Sequence, residues 1–154
     1  ACEPNFAYGY VAEAVDCQVD VETGKVSVGN VICADDVGNA INPQLVEGQI
    51  EGAIVQAAGY SLLENFIESN GKVLTDKFST YLIPTVLDIP EKMDSIVMEI
   101  PDHVGPWGAR GVGEMPLLPF APALIDAVHS ATDKWFDEFP LTAERVYFKI
   151  HEND

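Results

Sequence analysis

The sequence predicts an α+β fold, a mixed sheet that begins with an N-terminal hairpin and is covered by two main helices. Three observations carry that prediction. Residues 8–35 alternate apolar and polar side chains with a period of two, interrupted by one turn. Residues 42–64 repeat apolar side chains at three- and four-residue spacing. A Gly- and Pro-rich stretch over 101–116 separates a further alternating segment from a second apolar helical repeat.

In the first strand Glu13, Val15, Cys17, Val19 and Val21 share one side, and Ala14, Asp16, Gln18 and Asp20 the other. Glu22-Thr23-Gly24-Lys25 supplies the turn, with Gly24 free to take a positive φ. The second strand carries Val26, Val28, Val31 and Ile32, and Gly29-Asn30 breaks its alternation, which predicts a bulge. Asn42-Pro43 opens the first helix, with Asn as N-cap and Pro at the first helical position. Val46, Ile50, Ala53, Ile54 and Ala57 form its core face. A second stripe, Gln49, Gly52, Gln56 and Gly59, holds only amides and glycines. Each glycine costs about 1 kcal/mol relative to Ala inside a helix. Two on one stripe therefore predict a close approach to the backbone, for which tight helix–strand packing is the plainer explanation.

Asn70-Gly71 marks a turn, and Pro84 and Pro90 keep residues 76–90 extended or looped. Ile96, Met98 and Ile100 alternate in a strand over 94–100. The second helix runs over 119–131, with Ala123, Leu124, Ala127, Val128 and Ala131 on one face. The polar and aromatic tail holds a short strand or helix near 142–150.

The 154 residues suit one domain, read here as 1–154. An apolar fraction of 47% excludes general disorder despite a formal charge of −17, from 25 acidic and 8 basic residues. That excess of acid argues against a grip on nucleic acid or an anionic membrane. No apolar run approaches the roughly 18–20 residues of a membrane span. Cys2, Cys17 and Cys33 are odd in number and widely spaced. They read as reduced thiols of a cytoplasmic protein, too few for the four ligands of an iron–sulfur cluster. No basic and apolar leader opens the chain, and Ala1 stands where Met would, as in a fragment or processed piece. His103, His129 and His151 lack the short pairing of metal ligands, so no metal-ligating residue is assigned.

The chemistry concentrates between Gly105 and Pro116. Gly105, Gly108, Gly111 and Gly113 allow unusual φ and let backbone N–H groups point at a ligand. A helix follows within a few residues, a common cradle for phosphate or a polar ring. The order Gly108-x-x-Gly111-x-Gly113 reverses the glycine spacing of the dinucleotide fingerprint and argues against that fold. Glu114 ends the run. A carboxylate on a rigid loop beside a ligand cradle can act as a general base, although composition alone favours a solvated or helix-capping carboxylate.

Three motifs occur in order: Asn42-Pro43 with Gly48-Gln49-Ile50-Glu51-Gly52; Asp76 and Tyr81 with Leu82-Ile83-Pro84-Thr85, Asp88 and Pro90; and Gly108-Ala109-Arg110-Gly111-Val112-Gly113-Glu114 with Pro116. The hairpin adds Val19-Asp20-Val21 and Thr23-Gly24-Lys25-Val26. Over nearly its whole length the chain resembles the C-terminal part of the molybdenum-binding subunit of the xanthine dehydrogenase and aldehyde oxidase family, a partial molybdenum-cofactor-binding domain. It departs from the family at Gln56-Ala57-Ala58-Gly59, where relatives often have Gln-Gly-x-Gly, and at Arg110, where they carry Lys, Ser or other residues.

The resemblance implies a molybdenum hydroxylase, which oxidises an aldehyde or N-heterocycle with oxygen taken from water. The metal is held by the dithiolene of molybdopterin, with the cytosine dinucleotide as one form of the cofactor. Glu114 matches the family's catalytic base, which takes the proton from the metal-bound hydroxyl. Gln49 matches the glutamine that hydrogen-bonds the cofactor, and Ala109, Arg110, Gly111, Val112 and Gly113 match the segment that lines the pterin. The resemblance further implies partners: the remaining molybdenum domain, and iron–sulfur and flavin (FAD) domains or subunits. The isolated segment is expected to be inactive. The competing reading is a non-catalytic acidic assembly module derived from the same fold.

Overall fold

The computed structural model describes residues 6–152; Cys2 and the other residues of 1–5, with 153–154, lie outside the described residues. In chain order the elements are β1 (Tyr10–Val19), β2 (Val26–Asp36), α1 (Pro43–Leu62), β3 (Glu68–Ser69), β4 (Lys72–Val73), β5 (Lys92–Met98), α2 (Leu117–Thr132) and α3 (Ala143–Ile150). β1 pairs antiparallel with β2, and β2 pairs parallel with β5, so the main sheet is mixed, in the order β1-β2-β5.

The hairpin closes through Gly24 at φ 73°. The predicted bulge is present: Val15 faces Val31 but Cys17 faces Val28, so Gly29 and Asn30 together oppose Asp16. Asp16 Oδ1 accepts the Asn30 N–H at 2.9 Å. The extra residue resets the parity of β2, so that Val28 before the bulge and Val31 and Cys33 after it all point into the core.

α1 starts where Asn42 predicts, with its Oδ1 accepting from Leu45 N at 3.1 Å. Val46, Ile50, Ala53, Ile54 and Ala57 are all buried. α2 packs across β1, and α1 packs against α2, β2 and β5. Phe120, Ile50, Ile54, Leu124, Val31 and Val128 fill the space between helices and sheet, each side chain contributing roughly 1.5–3 kcal/mol by burial.

Several boundaries differ from the sequence expectation. The third strand of the main sheet ends at Met98, because the Ile100 N–H leaves the ladder to donate to Asp36 Oδ1 at 3.2 Å. α2 begins at Leu117 rather than 119, since the Leu117 and Leu118 N–H groups close a turn onto the Glu114 and Met115 carbonyls. Pro119 then sits in the first turn, where a missing N–H leaves nothing unbonded. Ala131 is exposed, and the fully buried Phe120 takes the place the apolar face assigned to it. The tail segment resolves as a third helix, α3, capped by Thr142. β3 and β4 flank the Asn70-Gly71 turn as two-residue strands, too short for a period to register.

The amide-and-glycine stripe of α1 divides. Gly59 is buried against Pro84 and the Glu64 carboxylate, so close packing accounts for it, against a loop rather than a strand. Gly52 meets no atom within 4 Å. Among the described residues no helix is long and apolar enough to cross a membrane.

Candidate active site

The glycine loop is stapled to the segment that joins β2 to α1. Arg110 N donates to Val37 O at 2.7 Å and Asn39 N donates to Gly108 O at 3.0 Å, so Gly38 and Ala109 form an antiparallel bridge. Asn39 Nδ2 donates to Trp107 O at 2.6 Å, and the Gly108 carbonyl accepts a second bond from Asp102 N at 2.9 Å. Gly38 lies at φ 65°, and a Cβ there would collide with the Gly108 carbonyl. Only glycine fits this crossing.

Arg110 fixes the loop from the side. Its guanidinium pairs with Asp36 (Nε to Oδ2, 3.3 Å) and with Asp102 (Nη1 to Oδ2, 3.0 Å). It also donates to the carbonyls of Ile100 and Tyr8 and lies 5.4 Å from the centre of the Tyr10 ring. Asp102 Oδ1 accepts from Val104 N and Gly105 N, both at 2.8 Å. These two bonds, with help from Arg110, hold the Asp102 carboxyl below the usual carboxylate range. The acids Asp36 and Asp102 and the amide of Asn39 escaped the sequence reading. They lie outside the glycine run, and the only hint was an acidic pair, Asp35-Asp36, ending an otherwise apolar strand.

The sequence singled out Gln49, Ala109, Arg110, Gly111, Val112, Gly113 and Glu114. The fold brings Gln49, Ala109, Arg110 and Val112 onto one cleft of about 260 Å³ between the start of α1 and the loop. The Arg110 side chain and backbone N–H are both engaged inside the chain, so in this cleft the residue acts as a clamp. Gly111, Gly113 and Glu114 continue beyond it. Gly111 N donates to Ala7 O at 3.4 Å, and Gly113 has open space around its Cβ position. Glu114 is exposed, and its carboxylate makes no hydrogen bond to the described residues. It does not cap α2, whose N-cap position is Pro116 without a side-chain bond.

Gln49 is exposed, and on its helix Gly48 and Gly52 likewise face open space. Side chains at these positions would narrow the approach to the α1 backbone. Among the described residues no cluster of three His, Cys, Asp or Glu side chains is disposed to hold a metal ion. The N–H groups of Gly108, Ala109, Arg110 and Gly111 are spent inside the chain, which leaves the Gln49 amide at the cleft, a group suited to hydrogen-bond an organic molecule rather than to ligate a bare metal ion.

Residues 2–90 match the sequence model of the molybdopterin cofactor-binding domain, a match that ends before the glycine loop. A probable hypoxanthine oxidase of Escherichia coli is 33% identical over 93% of the chain, which covers 15% of that protein. A probable xanthine dehydrogenase component of Bacillus subtilis is 34% identical over 92% of the chain and 19% of its own length. Among solved structures, the aldehyde oxidoreductase from Desulfovibrio gigas superposes with a TM-score of 0.85 at 30% identity, over 93% of this chain and 15% of that one. Quinoline 2-oxidoreductase from Pseudomonas putida 86 does so with a TM-score of 0.83 at 34% identity, over 90% and 18%. The chain thus spans less than a fifth of the length of these relatives. Agreement in sequence model, relatives and fold shows that it belongs to the molybdopterin cofactor-binding domain family of the xanthine dehydrogenase and aldehyde oxidase type.

Proposed function

We propose that this chain is the base-bearing, C-terminal part of the molybdopterin-binding domain of a hydroxylase that oxidises an aldehyde or N-heterocycle with oxygen taken from water. One observation carries the proposal: the glycine loop, which ends in the exposed carboxylate of Glu114, unpaired among the described residues, is stapled to the entrance of α1, and Ala109, Arg110 and Val112 of the loop share a cleft with Gln49.

When bound, the molybdenum–pterin group supplies the Lewis acid that activates water and the acceptor for two electrons. The chain's residues do the rest. The Gln49 amide offers a donor and an acceptor to the cofactor's polar edge. Ala109 to Gly113 would border it, with Arg110 locking the loop against Asp36 and Asp102. Glu114 would serve as the general base that accepts the proton of the water supplying the oxygen. General-base catalysis of this kind is worth about 10²–10⁴-fold, and a rigidly placed base adds orientation. The isolated segment lacks most of the relatives' length, so it is inactive alone. Activity needs the remaining molybdenum domain, and iron–sulfur and flavin centres to carry electrons away.

Gln49→Ala in the assembled enzyme tests the placement of the cofactor. The expected result is less molybdenum per chain, measured by elemental analysis on purified protein. Unchanged molybdenum content with an unchanged rate contradicts it.

A further inference from the structure

The helices cover one face of the main sheet; on the other, among the described residues, Arg110 reaches Asp36 and Tyr10 while Ile32, Ile96 and Met98 stay exposed. α1 and α2 pack over the side that carries Val15, Val31, Cys33 and Val97. The opposite side presents Tyr10 and Ala12 from β1, Ile32 and Ala34 from β2, and Ile96 and Met98 from β5. The register sets them in rows: Ala12, Ala34 and Ile96 in one, Tyr10, Asp36 and Met98 in the next. Tyr10 is 62% exposed, Ile96 50%, Met98 42% and Ile32 39%.

Three features say what covers this face. First, β2 and β5 pair in parallel, and strands covered on both faces read as near-continuous apolar runs. Their apolar residues at successive positions, Val31-Ile32 on β2 and Ile96-Val97-Met98 on β5, fit strands buried on both sides. Second, the floor is small and the walls are large. Ala12 and Ala34 lie at the bottom of a shallow depression of about 420 Å³ walled by Tyr10, Met98, Ile100 and Arg110. Such a trough takes the bulky ridge of a helix. Third, the chain carries a charge of −17; on this face Asp94 is paired with Lys92 and Asp36 with Arg110, so the attraction comes from the charge of the whole chain. A second copy would bring another −17 against it, whereas a basic partner is attracted.

We infer that this second sheet face is a docking surface for an amphipathic helix with a bulky apolar stripe and basic flanks, contributed by polypeptide outside these 154 residues. The relatives, more than five times as long as the segment they share with it, have ample length to supply one. The inference does not depend on the role of Glu114.

The probe is a synthetic peptide of about 15 residues with Leu at helical i, i+3, i+4 and i+7 spacing and Lys elsewhere, titrated calorimetrically into the 154-residue chain at about 0.2 M salt, where non-specific charge attraction is screened. Saturable one-to-one binding is expected, weakened at least about tenfold by Ala34→Glu and by Ile96→Asp. Leu87→Ser, in the exposed apolar loop before β5, should leave it unchanged, and a Leu/Glu counterpart should not bind. Circular dichroism checks that the variants fold. Should Ala34→Glu not fold, Ile96→Asp, at an exposed edge position, decides alone. Absence of saturable binding, binding indifferent to the face variants, equal binding of the acidic peptide, or a dimer of the chain abolished by Ile96→Asp would overturn the inference.

Discussion

The Arg110 guanidinium bridges Asp36, at the end of β2, and Asp102, in the glycine-rich segment, at 3.3 and 3.0 Å, with all three side chains largely buried. This pairing ties the sheet to the loop that ends in Glu114. Removing one partner of a buried pair costs about 3–5 kcal/mol, because the other charges stay buried without it. Arg110→Ala should therefore lower the unfolding free energy by at least about 3 kcal/mol, measured by denaturant titration. Arg110→Lys should recover only part of the loss, since an ammonium cannot reach both carboxylates and two carbonyls at once. A stability change under about 1 kcal/mol for Arg110→Ala would mean the pair is idle.

Much of this arrangement was legible in the residues. The hairpin, its bulge and the start of α1 follow from short-range signals: Gly24 in a turn, Gly29-Asn30 off the alternation, Asn42 before Pro43. The clamp was not legible, because Asp36 and Arg110 are 74 positions apart and nothing in their local sequence declares the pairing. The start of α2 was misplaced for a related reason. The apolar face places the start near 119, but the turn is closed earlier by backbone bonds to Glu114 and Met115 that side-chain identity does not announce. Gln49 and the loop could be joined only through resemblance, since no periodicity relates a helix stripe to a loop about 60 residues on.

A buried acid pair sets the pH dependence. Glu13 faces Cys33 across the hairpin, and Asp35 lies two residues along β2. All four carboxylate oxygens are buried without a hydrogen-bond partner among the described residues. Burial, reinforced by Asp35, pushes Glu13 up to about 7, and burial with the charge of Asp36 pushes Asp35 up to about 6. The fold therefore holds protons that the unfolded chain releases, so stability is full below the ordinary carboxylate range and is lost as pH rises towards 7. The chain should be more stable at pH 5 than at pH 8 by about 1–2 kcal/mol, after allowance for the partial exposure of Glu13. Glu13→Gln should flatten that slope in urea titrations at the two pH values. Higher stability at pH 8 in the parent chain would refute the assignment.

Asp102 acts in the opposite sense. Its carboxyl is held down by two backbone N–H groups and by Arg110. Its contribution is present above the ordinary carboxylate value and is lost as pH falls through its lowered one. Asp102→Asn should remove stability at pH 5 and little at the most acid pH at which the chain still folds. An equal loss at both would show that its charge plays no part.

Gly38 and Gly52 separate fold from site. Gly38→Ala forces a Cβ into the Gly108 carbonyl at positive φ and should destabilise the chain by more than about 1 kcal/mol. Gly52→Ala adds a methyl group in open space and should stabilise the free chain by up to about 1 kcal/mol. In the assembled enzyme, however, the same methyl group should lower molybdenum content if the cofactor lies against α1. Thermal unfolding of the chain and elemental analysis of the enzyme read the two effects. Full molybdenum content in the Gly52→Ala enzyme would move the cofactor away from this helix.

The most direct test is the turnover of the assembled enzyme carrying Glu114→Gln. This change removes the carboxylate while keeping its size, and nothing in the fold rests on that side chain. The account predicts unchanged molybdenum content and unfolding midpoint, with turnover lower by at least about 10²-fold. A molybdenum-replete variant that turns over near the parental rate would contradict the role assigned to Glu114.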